Sequence, residues 1–253
     1  MQTALLFSLL AGLSTALGGV LAALFPPSDR LLAASAGFAG GVMVTVSLAD
    51  LLPEAADFYR GYLPPLGVGA AVTLLALSGM VTAALLAGLL PDEAALAARF
   101  GVQGARQAAL RTALVTGAAL LLHNLPEGVL TLFAGVSDPA LGARTALAVA
   151  LHNIPEGLAV AVPFACATNS RGRGAAAALL SGLAEPLGAV LAWWCLRGLF
   201  TPGFLTGTMA MVAGLMLWVA LDQLLPAAKG TVGALGAAAG CLLMLLGVAV
   251  LGA

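Results

Sequence analysis

Polar and apolar positions along this chain do not alternate at the period of a half-buried helix or strand. Apolar residues instead run on for whole helix lengths, interrupted only by short clusters of charge and proline. A helix needs about 20 predominantly apolar residues to cross the hydrocarbon of a bilayer. Eight stretches meet that requirement, at 3–25, 31–52, 66–90, 109–135, 141–166, 174–200, 203–226 and 230–252. Their ends carry breakers or charge: Pro26-Pro27, Pro53, Pro64-Pro65, Pro91-Asp92-Glu93, Asp138-Pro139, Arg171 to Arg173, Pro202 and Lys229. Membrane β-strands are much shorter and alternate, so a barrel is excluded. The pattern predicts an all-α, polytopic membrane protein of eight transmembrane helices, forming a single domain over residues 1–253. Met1 to Leu24 is read as the first span, because it lacks the basic start of a signal peptide.

Composition sharpens this reading. Apolar residues make up 61% of the chain and charged ones 8%, and mean hydropathy is +1.07. Soluble domains carry about a quarter charged residues, so the solvent of this chain is lipid. A net charge of −1 gives no basis for nucleic-acid binding. Cys166, Cys195 and Cys241 are scattered and show no C-x-x-C spacing, so they read as small packing residues.

Lysine and arginine set the orientation. One side of the eight-span topology holds Arg30, Arg99, Arg106, Arg111, Arg171, Arg173 and Lys229, against Arg60, Arg144 and Arg197 on the other. The richer side is expected to be cytoplasmic, which puts both termini on the extracytoplasmic side of a cell (inner) membrane. The longest loop, 91–108, contains no histidine, and a short amphipathic helix is expected from Glu93 to Phe100.

An internal echo adds a topological expectation. Span 2 reads Gly41-Val42-Met43 and, seven positions after Met43, Asp50-Leu51-Leu52-Pro53. Span 7 reads Gly214-Leu215-Met216 and, at the same spacing, Gln223-Leu224-Leu225-Pro226. Spans 2 and 7 cross in opposite senses. This predicts an inverted repeat of spans 1–3 and 6–8 around spans 4 and 5, an architecture whose sites lie near the bilayer midplane.

The chemistry is concentrated in two hexads, His123-Asn124-Leu125-Pro126-Glu127-Gly128 and His152-Asn153-Ile154-Pro155-Glu156-Gly157, which hold both histidines of the chain. Ionisable groups deep in a bilayer are costly, and each is a functional hypothesis by default. Glu127, Glu156 and Glu185 lie well inside spans 4, 5 and 6 with no Lys or Arg at matching depth. They must be protonated or must hold a cation. Spacing favours the cation. His123 and Glu127 stand at i and i+4 on one helix face, as do His152 and Glu156. Asn124 and Asn153 add amide oxygens beside them. Imidazole with carboxylate is a ligand set for Zn²⁺, Fe²⁺, Mn²⁺ and related ions.

Proline supports a site at these positions. Pro126 cannot donate to the carbonyl of Leu122, nor Pro155 to that of Leu151, so each helix is expected to bend there. Broken helices are tolerated in lipid where they line a cavity. Span 6 repeats the theme in Ser181-Gly182-Leu183-Ala184-Glu185-Pro186. In span 2, Met43, Ser47, Asp50 and Glu54 fall on one helical stripe. Met43 is a candidate soft ligand and Asp50 a candidate path residue. Glu54 and Asp57 are either an attracting rim or solvated helix ends. Two divalent cations would match the carboxylates of Glu127, Glu156, Glu185 and Asp50, and one metal with shared protons balances as well. A metalloenzyme fits less well, because zinc proteases use H-E-x-x-H and di-iron bundles Glu-x-x-His. A proton-linked carrier for another solute is the remaining alternative.

At these residues the chain resembles the ZIP (zinc- and iron-regulated transporter-like) family of divalent metal transporters, and most of all its bacterial GufA-like branch. The resemblance spans essentially the whole chain and is carried by the two H-N-x-P-E-G hexads, by Ser181 to Pro186, and by Gly41-Val42-Met43. It implies a transporter and not an enzyme, moving zinc or a related ion (Fe²⁺, Mn²⁺, Co²⁺, Cd²⁺) into the cytoplasm by alternating access, with no prosthetic group. It implies a primary metal position at His123, Glu127, His152 and Glu156 with Met43 adjoining. A second position would use Asn124, Asn153 and Glu185 while sharing Glu127 and Glu156. Asp50 would influence substrate choice. Spans 1, 4, 5 and 6 would carry the site and slide against a support of spans 2, 3, 7 and 8, which in the family often faces a homodimer partner. The spacings Gly37-x3-Gly41 and Gly236-x3-Gly240 permit close helix contact in that support.

Overall fold

A computed structural model describes residues 1–92, 94–95, 98, 101, 104–195 and 201–251. Arg99, Arg197 and most of the helix expected from Glu93 to Phe100 lie outside these residues. Among the described residues there is no strand, and eight helices are long and apolar enough to cross a membrane. They are α1 (Gln2–Ala23), α2 (Asp29–Arg60), α3 (Pro65–Leu89), α4 (Ala105–Ser137), α5 (Pro139–Thr168), α6 (Arg171–Gly182, continuing as Ala184–Cys195), α7 (Pro202–Ala227) and α8 (Gly230–Leu251). Several starts are capped as their residues dictate. The side chains of Ser28, Asp138, Ser170 and Thr201 accept from the backbone amides of Leu31, Ala140, Arg173 and Phe204.

Proline behaves differently from the expectation at two places, Pro53 and Pro226. Span 2 does not end at Pro53. A π-turn over Ser47–Leu51 precedes it, and the helix continues to Arg60. The amide of Leu52 donates to the carbonyl of Ser47, five residues back, so Pro53 falls in the first turn of the next segment, where no amide donor is needed. α7 does the same, with a π-turn over Ala220–Leu224 and Pro226 beyond it. The wider turn also shifts the helical register. The buried stripe of α2 is Met43, Ser47, Leu51 and Ala55, and Glu54 is exposed instead of sharing that stripe. Pro126 and Pro155 lie inside the helices of α4 and α5. α6 is interrupted by a turn at Leu183, beside Glu185-Pro186.

The helices form two groups. α1 packs on α4, α5 and α6, and α4 packs on α5 and α6. Around this bundle, α2 packs on α8 and α3 on α7, while α2 meets α5 and α7 meets α4. The pairing is symmetric under exchange of 1 with 6, 2 with 7, 3 with 8 and 4 with 5. The π-turns at Ser47–Leu51 and Ala220–Leu224 are one such exchange.

The clearest exchange is between α1 and α6, which the sequence reading did not identify. Leu9 to Ala22 and Leu179 to Ala192 share nine residues, including Gly12/Gly182, Leu17/Leu187, Gly18/Gly188 and Val20-Leu21-Ala22/Val190-Leu191-Ala192. The burial class of each residue from 1 to 24 equals that of its counterpart from 171 to 194. Glycine allows the close contacts. A Cβ at Gly12 would lie 2.3 Å from the Gly182 carbonyl oxygen, and one at Gly182 would lie 2.1 Å from that of Gly12. In the outer group, a Cβ at Gly41 would lie 2.2 Å from the Ala237 oxygen, and one at its counterpart Gly214 would lie 1.8 Å from that of Ala76.

Candidate metal centre

The two hexads face each other at the middle of α4 and α5. Because these helices run in opposite directions, each histidine lies level with the other hexad's glutamate. His123 Nε2 is 3.1 Å from Glu156 Oε2, and His152 Nε2 is 3.3 Å from Glu127 Oε1. His123 Nε2 also lies 3.9 Å from Glu127 Oε2, which ties the two levels together. All of these groups are withdrawn from solvent: His123 and Glu127 are 1% exposed, Glu156 0% and His152 5%.

The asparagines point the other way, toward α1 and α6. Asn124 Nδ2 donates to the carbonyl of Ser181, and Asn153 Nδ2 to that of Ala11, each at 3.0 Å. Ser181 and Ala11 are counterparts in the repeat, so these bonds are one interaction made twice. Asn153 Nδ2 also donates to Glu185 Oε1. Gly128 and Gly157 allow the approach. A Cβ at Gly128 would stand 1.9 Å from the Glu185 carbonyl oxygen, and one at Gly157 would stand 2.0 Å from that of Thr15.

The structure therefore brings His123, Asn124, Glu127, His152, Asn153, Glu156 and Glu185 into one buried cluster. Met43 is buried but belongs to an apolar layer with Val46, Ala119, Leu120, Ala159, Val160 and Met216. Ala119 and Leu120 lie one turn from His123, and Ala159 and Val160 one turn from Glu156, so this apolar core comes within a helical turn of the cluster. Asp50 is half-buried on α2, within electrostatic reach of His152.

The cluster holds an unusual concentration of polar atoms without partners. His123 Nδ1, His152 Nδ1, Asn124 Oδ1, Asn153 Oδ1, Glu127 Oε2, Glu156 Oε1 and Glu185 Oε2 are all buried and unbonded. Buried polar atoms are paired in the great majority of cases, and these are the donor types that divalent transition metals accept. The side chains in this conformation bond one another. Among the described residues, no three His, Cys, Asp or Glu side chains converge as a preformed metal shell. Metal binding would exchange imidazole–carboxylate contacts for metal contacts.

Beyond the apolar layer lies a cavity of about 810 Å³ at one end of the molecule. Its wall includes Arg30, Arg106, Arg111 and Lys229 with Asp29 and Asp222. From Thr112, in the cavity wall, to His123 is about 16 Å of helix. The opposite end carries Glu54 and the paired Asp57 and Arg60.

Fold and cluster together define a class: a polytopic helical membrane protein built by inverted duplication around buried imidazole, amide and carboxylate groups. Comparison with known proteins gives the family. The ZIP zinc transporter family model matches residues 94–253. The zinc transporter ZupT of Stenotrophomonas maltophilia is 43% identical over 235 residues, covering 89% of this chain and 86% of the relative. The ZupT proteins of Corynebacterium efficiens and Salmonella paratyphi A are each 42% identical, covering 87% and 90% of this chain and 85% and 88% of theirs. The chain belongs to the ZIP family of zinc transporters. It is a multi-pass membrane transporter and not an enzyme.

Proposed function

We propose that this protein carries zinc, or a related divalent ion such as Fe²⁺, Mn²⁺, Co²⁺ or Cd²⁺, across a bacterial cell membrane into the cytoplasm by alternating access at the hexad cluster. The observation that carries the reading is the pair of reciprocal His–Glu contacts, His123 to Glu156 and His152 to Glu127, buried midway along spanning helices. His123, Glu127, His152 and Glu156 form the primary position. Asn124, Asn153 and Glu185, sharing the two hexad glutamates, form the second. Met43 closes the layer beside the first position, and Asp50 stands at its approach.

Sidedness follows from charge. The cavity lined by Arg30, Arg106, Arg111 and Lys229 is the cytoplasmic mouth, and both termini face outward. A cation is drawn in at the end of Asp50 and Glu54 and leaves past a basic wall that does not retain it. The apolar layer of Met43, Leu120, Val160 and Met216 is the inner barrier that must part for release. The eight spans act as one transport domain, with α1, α4, α5 and α6 moving against the other four. In a homodimer the contact falls on the α3 and α8 faces, which are the least buried of the spans.

The test is zinc entry into liposomes containing the purified protein and an enclosed zinc dye. Glu127→Ala and Glu156→Ala are each expected to abolish flux. Intact flux in both variants would show that the hexads are not the transport site.

A further inference from the structure

The inverted repeat pairs the hexad side chains of the cluster, but it gives the carboxylate of Glu185 no matching carboxylate. His123 answers His152, Asn124 answers Asn153, Glu127 answers Glu156, and the carbonyl of Ser181 answers that of Ala11. Glu185 is answered by Thr15. Resting on the site reading above, we propose that Thr15 is a further metal-binding residue, supplying a neutral oxygen to the second position opposite Glu185. Its lack of charge keeps that position releasable.

Four observations carry this. Thr15 is 0% exposed, as is Glu185. Its backbone is held by the counterpart glycine, since Gly157 meets the Thr15 carbonyl as Gly128 meets that of Glu185. Its Oγ1 has no hydrogen-bond partner. A helical threonine ordinarily bonds the carbonyl four residues back, but for Thr15 that carbonyl is Ala11's, which already accepts from Asn153 Nδ2 and from Ser14 Oγ. Asn124 Oδ1, on the counterpart of the asparagine that holds Glu185, and Glu156 Oε1, on the residue before the Gly157 that meets Thr15, are also unpartnered. A buried hydroxyl without a partner costs free energy. A cation shared with Asn124 and Glu156 would give it one.

The charge of the cluster gives the asymmetry a purpose. Glu127, Glu156 and Glu185 supply three negative charges in the cluster. A carboxylate at position 15 would add a fourth and neutralise two divalent ions completely. With threonine there, the form with two ions is positive by one charge and the form with one ion is negative by one. Neither is a neutral trap in a medium where unbalanced charge is costly.

The experiment measures zinc binding by equilibrium dialysis and zinc flux in liposomes, on the full-length protein. Thr15→Val keeps the shape and removes the oxygen. It should weaken the weaker zinc-binding step by about tenfold, the size of one charge-assisted contact, while the metal-free protein melts no lower than wild type. Thr15→Ser should retain wild-type binding. Thr15→Glu should bind zinc more tightly and retain it through gel filtration, with flux slowed at least tenfold. Thr15→Val with unchanged zinc binding overturns the proposal, whether or not Thr15→Glu folds. Glu127→Gln separates the two failures. If it loses zinc while Thr15→Val does not, the site stands and the role of Thr15 falls. If Glu127→Gln also binds as wild type, the site reading itself is wrong.

Discussion

The first and last three spans are the same structure inserted in opposite senses, and they differ mainly in where charge is placed. α1 matches α6 in burial at every residue compared, and α2 matches α7 down to a π-turn before a Leu-Pro step. Their polar differences include Thr15 against Glu185, Asp50 against Gln223, Glu54 against Ala227 and, in the opposite sense, Ala49 against Asp222. In the alternating-access cycle proposed above, the shared part would be the scaffold that opens to either side, because two equivalent halves could exchange conformations. The unshared part makes the two ends unlike, with Asp50 and Glu54 toward one and a basic cavity at the other, and in the proposed cycle it would give the passage its direction. On that proposal, symmetry would account for the mechanism and its violations for the polarity of transport.

The comparison is tested most severely at the hexads. If the halves are equivalent, His123→Ala and His152→Ala should do equal damage, since each leaves a buried glutamate unpaired. Breaking a buried ion pair costs about 3–5 kcal/mol. Both variants should melt well below wild type in the absence of metal and lose zinc flux in liposomes. A loss confined to one histidine would show that a single level holds the ion.

The glycines form a second matched pair. A Cβ at Gly128 or at Gly157 would overlap a backbone oxygen at about the same distance. Backbone cannot yield as a side chain can, so each alanine variant must push α4 from α6 or α5 from α1. Overpacking costs about 1–3 kcal/mol and sometimes more. Thermal unfolding should show equal drops for Gly128→Ala and Gly157→Ala, and unequal drops would mean that the two helix contacts are not copies.

The asparagines are matched in one bond and unmatched in the other, so they should separate. Both donate to a carbonyl of the neighbouring span, but only Asn153 also holds Glu185. Losing a buried hydrogen-bond partner costs about 1–3 kcal/mol, and more where a charged group is left unsatisfied. Asn153→Leu should therefore destabilise the protein more than Asn124→Leu, by chemical denaturation in detergent. The reverse order would remove Glu185 from the cluster.

These elements were unequally legible in the sequence. The eight spans could be read directly, because lipid imposes long apolar runs and little else does. The hexads were legible because imidazole and carboxylate are costly there, and their i, i+4 spacing placed them on one face. Which histidine meets which glutamate was not, since that depends on α4 and α5 running antiparallel: the partner of His123 is Glu156, with Glu127 standing further off. The repeat was visible in spans 2 and 7 through Leu-Leu-Pro. It was stronger in spans 1 and 6 and was missed, because Thr15 carries no charge to draw attention and Ala16 stands where Pro186 does. The π-turns were not legible, since Pro53 and Pro226 read locally as helix ends. A five-residue hydrogen bond that absorbs the missing amide becomes visible only in the backbone.

The smallest expected effect lies at the mouths, where it decides whether charge placement or scaffold sets direction. Asp50 is half-buried on the approach side within reach of His152, and Gln223 is its buried counterpart lining the basic cavity. Charge at a cleft mouth raises the capture rate of an opposite ion by roughly tenfold or more, and salt screens the effect. Asp50→Gln should therefore raise the zinc concentration needed for half-maximal uptake by about tenfold at low ionic strength, and by less as salt increases. Gln223→Asp should leave entry unchanged and slow release, because it places a carboxylate in the cavity through which the ion leaves in the proposed direction. The double exchange would move the acidic group from one mouth to the other within the same scaffold. If it leaves the entry and exit rates as they were, the two mouths are functionally alike, and direction is set by the zinc gradient alone.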